Sequence, residues 1–441
     1  LDDFLIRSGG STIELNGNTA DRQGLRFLAD IEALGSLLPG SDGAIDARGV
    51  ISLHPQQPRL SLELEADDLS IGGLRIDRLE IRNNERAGNT SIADLLMRAE
   101  QLQVAEQVLD RLETRLLFSS DRQQLTMTAG LAGADLSAEL SGAFESVVNA
   151  DEIDWENLAS QRWLGELELL RLTSEQALPV DLIRPASLNL SAHDVAVSSA
   201  CLTAGGESSL CVDANWNVSG AGAASVRLQE LPLQWLHPLL GIDLQFTQAF
   251  SGELEFQKEQ GGEPSANALF RLSPGEVLFP DDPEALLKTG QGDFGFKLVQ
   301  GRLLAGSVDL PLPGNGFVEL DLKISDLAAL GDARLGGRMH VILEDLGALV
   351  YFVEGLDYAE GRFETDLELG GTLNRPVSRG ITTLSSGIVE NHSLGLRFTD
   401  IQLSGQSKGN GRLETRGSFR AREGRGELSA IVDFSDVQSP H

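Results

Sequence analysis

Cysteine and the large aromatics are close to absent, with two Cys, two Tyr and four Trp among 441 residues. The apolar faces are therefore left to Leu, Ile, Val and Ala, which pack on one another or on flexible hydrocarbon; composition alone does not choose between these. Basic charge is short as well: 35 Lys and Arg stand against 66 Asp and Glu, a net charge of −31. Nucleic-acid phosphates need cations in excess, so no nucleic acid is expected as a partner. The acidic exterior instead keeps long sheet edges from pairing between molecules. No apolar run of ~18 residues is present to cross a bilayer as a helix. The chain opens in mid-pattern at Leu1 and closes on a polar Gln438–His441, which reads as a fragment whose inner-membrane anchor lies elsewhere. Six histidines (His54, His193, His237, His340, His392 and His441) stand singly, without metal-ligand spacing. No metal, cofactor or catalytic site is expected, and the chain is not read as an enzyme.

What is present is alternation. Leu60, Leu62 and Leu64 fall on one face of a strand, as do Leu125 and Met127 with Ala129. Val318, Leu320, Leu322 and Ile324 come after the turn Pro313–Gly316, a strong hairpin signal. Leu428 and Val432 share a beat with Ala430. Two stretches repeat a figure 33 residues apart: Leu69-Ser-Ile71 with Asp77–Glu80, and Leu102-Gln-Val104 with Asp110–Glu113. Such a repeat marks an architecture that stacks one unit many times. Glycine, at 48 residues, is about 11% of the chain against a usual ~7% and punctuates the strands. At one strand per ~14 residues there are about thirty strands, and ~4.8 Å between neighbours makes an elongated stack of roughly 120–150 Å.

Three apolar stretches near prolines or strand ends predict short helices: Asp30–Pro39, Pro232–Leu239 and Asp345–Phe352. Glu152–Trp163 is a further helix candidate. These interruptions divide the chain into segments 1–150, 151–230, 231–344 and 345–441. The last two share a frame in which Gly252 and Gly361 precede a glycine pair by the same spacing and Leu254 and Phe363 hold equivalent places.

Two motifs of catalytic type do not survive their context. Gly290–Gly295 matches a dinucleotide fingerprint, but Phe296–Gln300 directly after it reads as strand, whereas pyrophosphate binding needs a helix N-terminus there. Gly405–Gly409 matches a nucleophile elbow around Ser407, yet alternating Leu413 and Thr415 come next, so a hairpin turn is the better reading. Cys201 and Cys211 flank a turn-rich run, and a hairpin there sets them within disulfide reach. The expectation is a structural disulfide, with two buried thiols as the alternative; a bridge implies an oxidising compartment such as a periplasm.

The block from Trp163 to Trp216 is the most specific. It runs Trp163-Leu-Gly165, then Leu188-Asn-Leu190, then Cys201-Leu202, Leu210-Cys211 and Trp216. With Gly371–Pro376, Gly387 and Leu394–Ile401 it resembles the TamB family, within the wider AsmA-like group, in its middle-to-C-terminal part. The resemblance implies an all-β fold: an elongated, repetitive antiparallel sheet folded lengthwise into an apolar groove, the β-taco, with a few short helices. It also implies a periplasmic conduit moving phospholipid between inner and outer membranes, with acyl lipid as the transported ligand. The outer-membrane barrel TamA is the implied partner of the full-length protein, its direct contact with this fragment being doubtful. Residues on the apolar beats are the expected groove lining: those named above together with Leu69, Ile71, Ile76, Leu188, Leu190, Leu254, Phe363, Leu367 and Leu369.

Periodicity does not distinguish an open groove from a dry closed solenoid, since both alternate in the same way; here the resemblance decides. Three function classes are then open. A conduit carries lipid, a scaffold for barrel proteins or autotransporters binds strands at sheet edges, and an enzyme needs a converging polar site, which the sequence does not offer.

Overall fold

The computed structural model describes residues 4–54, 58–83, 91–104, 107–119, 121–131, 133–145, 161–174, 179–236, 245–279, 282–327, 332–347, 350, 355–409, 411–422 and 424–433. Thirty strands are described, and the short helical elements with described bounds are the 3₁₀ turns Leu34–Ser36 and Leu233–Leu236. The fold is all-β and antiparallel. Of the stretch expected to be helical from Asp30, only Leu34–Ser36 is so, because Asp30 and Ile31 still belong to the strand Leu25–Ile31. Trp163, expected at a helix end, instead opens the strand Trp163–Ser174, while residues 152–160 lie outside the described set.

The chain forms two compact units: Leu1–Gly206 with Cys211–Ser219, and Gly220–His441 with Glu207–Leu210. In the first, from Phe4–Ser8 to Trp163–Ser174, each strand pairs antiparallel with the one before it. Trp163–Ser174 then pairs with two short strands, Val180–Leu182 and Ala186–Leu190, which both pair with Asp194–Thr203. The second unit repeats this meander from Gly222–Pro232 to Gly424–Asp433. One excursion leaves it: Gly275–Phe279 and Asp282–Thr289 pair with each other, and the first of them with Gln245–Phe246, as a separate small sheet. Neighbour-to-neighbour pairing is what short turns between alternating strands produce, and it keeps the apolar beat of every strand on one side.

The 33-residue repeat has a backbone cause. Asp68 and Gln101, one repeat apart, both sit at φ 51° inside their strands. Pairing skips a residue at each: Asp67↔Arg78 is followed by Leu69↔Ile76, and Glu100↔Arg111 by Leu102↔Leu109. Register among these four strands is kept across the gap, whereas against their outer neighbours it shifts between Asp42 and Ala44 and between Leu109 and Arg111, a β-bulge on each side, and the apolar beat moves by one residue across the break. On the preceding strand Gly43, at φ 113°, stands beside the first break, where a side chain would strike the carbonyl oxygens of Asp67 and Asp68. The breaks in neighbouring strands thus fall at one level. In the second unit Gly361, Ser386 and Asp400 lie at comparable breaks in three successive strands.

Candidate functional site

Register shows which apolar residues share a face. In the first unit one row runs Leu64–Ile81–Met97–Thr114–Met127–Ala138. Beside it runs Leu95–Leu116–Leu125–Leu140–Leu167, five leucines on five successive strands, each half-buried. Leu62 lies opposite Gly49 and Leu60 opposite Ile51, on the same beats as Leu64. Leu188 and Leu190 continue the face through Val197 and Val195. Beyond the bulges, Leu69 pairs with Ile76 and both are buried, whereas Ile71 at the turn is exposed.

The second unit carries the same kind of face. Leu320 faces Val308 and Met339, and Met339 faces Leu367; Leu322 faces Gly337, which faces Leu369. Val318 pairs with Val341 and Ile324 with Leu335. Leu254 joins through Ala268 to Phe296, and Phe363 through Leu384 to Leu403. At the last described strand Val432 opposes Leu413 and Leu428, 43% exposed, opposes Gly417. Most of these side chains are neither buried nor exposed. A sheet face packed on a second sheet would be buried; this one is covered only in part. The face is interrupted where Thr365 bonds Thr382 at 2.8 Å and Ser378 bonds Ser407 at 3.0 Å. Ser407 also donates to the Ser378 carbonyl and is 4% exposed within a strand, so it is no nucleophile elbow.

The opposite face carries the charged pairs, with Leu269, Ile381 and Ile431 exposed among them. Arg98 meets Glu113 at 2.8 Å and Arg271 meets Asp293 at 3.2 Å, pairs on neighbouring strands. Arg338 grips Asp366 with two bonds of 3.2 and 2.6 Å, which holds the Asp366 carboxyl below the usual carboxylate range. Asp94 is the exception in burial: its carboxylate is covered and receives two bonds from Arg115, at 3.0 and 2.9 Å. Among the described residues no group of His, Cys, Asp and Glu is placed to hold a metal ion. The Gly290–Gly295 motif runs into the strand Gly292–Val299, so no helix meets a phosphate there. Cys201 and Cys211 are bonded, their Cα atoms 4.0 Å apart, and Asn217 Nδ2 donates to Asp194 at 2.6 Å nearer the open end of the same hairpin.

Sequence reasoning read the strand alternation but not the breaks in it, whose one signal is the lost beat at Asp68 and Gln101. It also missed that Leu34, from the turn beside the sheet, enters the face. Among the described residues no helix is long and apolar enough to cross a membrane. Residues 1–384 match a family model described as TamB, N-terminal domain. That description differs from the middle-to-C-terminal placement read from the Trp163–Trp216 and Gly371–Ile401 motifs. No curated protein and no solved structure matches.

Proposed function

Because the chain belongs to the TamB N-terminal domain family, we propose that its half-covered apolar face binds the acyl chains of phospholipid and passes them along the sheet. The observation that carries this is the mainly aliphatic register that crosses successive strands in each unit, left partly open. An apolar face of this extent needs a cover, since soluble surfaces rarely expose more than a few hundred Å² in one patch. Acyl chains suit it, because leucine rows offer no directional polar contact and each buried methylene contributes ~0.8 kcal/mol. Family membership supports a role in a translocation and assembly module, with the periplasm between inner and outer membrane as the setting and TamA as the barrel partner of the full protein. In this reading the chain is not an enzyme and holds no cofactor; lipid is its cargo.

A scaffold for outer-membrane β-barrel proteins or autotransporters is the second reading. It draws on the described edge strand Phe4–Ser8, where Phe4, Leu5 and Ile6 are 45, 46 and 39% exposed, an arrangement open to strand addition. Mass spectrometry of purified protein, under native conditions and after organic extraction, separates the two. Copurifying phospholipid at one or more molecules per chain is expected. Lipid-free protein that captures extended peptide at its edge would replace the conduit with the scaffold.

A further inference from the structure

We propose that the segment Glu32–Ser41 fills the bulge side of the apolar face in the first unit and so confines a bound acyl chain to the row Leu95–Leu116–Leu125–Leu140–Leu167. The inference rests on the lipid reading above and says where along the strands the lipid lies. After Ile31 the chain leaves the sheet, makes the 3₁₀ turn Leu34–Ser36 and returns at Asp42. Leu34 is 7% exposed and packs with Ile31, Leu69, Ile76 and Ala99; Leu37 packs on the same cluster. The segment is tied to itself: Ser36 Oγ donates to the Ala33 carbonyl at 2.8 Å and Ser41 Oγ to the Leu38 carbonyl at 2.6 Å.

Two features make room for it. Small residues alternate with large ones on the row Ile45–Ala66–Leu79–Ala99–Leu112, leaving hollows at the alanines. The breaks at Asp68 and Gln101 move the apolar beat by one residue, and Leu69 and Leu102 join the same cluster. This part of the face is therefore already filled by the chain itself: Ile31, Leu34, Leu69, Ile76 and Ala99 are buried there, with Leu79 and Leu112 packed against them. A lipid chain would have to displace the contacts that Leu34 and Leu37 already make there. None of the five row leucines belongs to that cluster, and each keeps part of its surface uncovered. An acyl chain laid along them removes that surface from water. Four strand spacings make the row about 19 Å long, a span across the strands that an extended hydrocarbon chain can cover.

The test places a photo-reactive amino acid in the intact protein, made in a Gram-negative host, at Leu125, Leu140, Leu79 or Leu112, and reads phospholipid adducts by mass. Adducts are expected at Leu125 and Leu140, at least tenfold above those at Leu79 and Leu112. In the double variant Leu34→Ala, Leu37→Ala the hollow is emptied, and adducts at Leu79 and Leu112 are expected to rise toward the level of Leu125. Equal labelling at all four positions of otherwise native protein overturns the confinement and leaves the lipid reading standing. Absence of adducts at all four overturns the lipid reading and this inference with it. The native pattern decides even if the double variant does not fold.

Discussion

Arg115 and Asp94 show how a charge can be tolerated on a sheet that is otherwise aliphatic inside and solvated outside. The Asp94 side chain is 2% exposed and Arg115, 46% exposed, meets both its oxygens. Removing the arginine takes two charge-assisted bonds from a covered carboxylate, so Arg115→Ala is expected to lower stability by about 2–4 kcal/mol in denaturant titration. A loss within error would mean that water reaches Asp94. Arg338 and Asp366 are the opposite case, both well exposed at 64 and 48%. Asp366 has its pKa lowered from 3.8, first by the hydrogen bond from Arg338. A carboxyl depressed on folding adds stability that is fully present above its unfolded value and is lost as pH falls through the lower folded value. The difference in melting temperature between native protein and Asp366→Asn is therefore expected to be small, flat above about pH 5 and shrinking in stronger acid. A difference that widens on acidification would contradict the sign.

Among the elements, the hairpin of Asp194–Thr203 and Ser209–Asn217 is the one covalently closed. The bridge spans a sequence separation of 10, a short loop whose closure contributes at most about 3 kcal/mol in the chain-entropy account. Cys201→Ser with Cys211→Ser is expected to lower stability by about 2–3 kcal/mol while far-ultraviolet circular dichroism stays that of a sheet. Loss of the whole β signal would show that folding depends on this hairpin. Its strands were legible in sequence because turn residues sit between two apolar runs. The break at Asp68 was not, because an aspartate at φ 51° reads the same as one on a polar beat. The turn at Leu34 was legible only as a helical interruption; nothing in Leu34-Gly-Ser-Leu37 says which strands it would touch.

On the proposed lipid reading, rungs act in series, so one charged rung on an apolar row blocks every chain that must pass it. Leu322 lies between Gly306 and Gly337, and Leu367 between Met339 and Gly380, all on the apolar beat, whereas Asp321 beside Leu322 is exposed. Leu322→Asp or Leu367→Asp in the full-length protein is expected to keep expression and β content yet abolish activity in cells, while Asp321→Arg is tolerated. Normal activity with both inward charges would turn the argument toward a scaffold. The sequence by itself determined the strand periodicity and the placing of the two cysteines either side of one turn, because these depend on neighbours within one strand or one turn. Only the tertiary structure decided where strands bulge, that Leu34 closes part of the face, and that the leucine row from Leu95 to Leu167 stays half-open. Those depend on register between strands and on a turn packing across several of them, and no local pattern encodes contacts of that range.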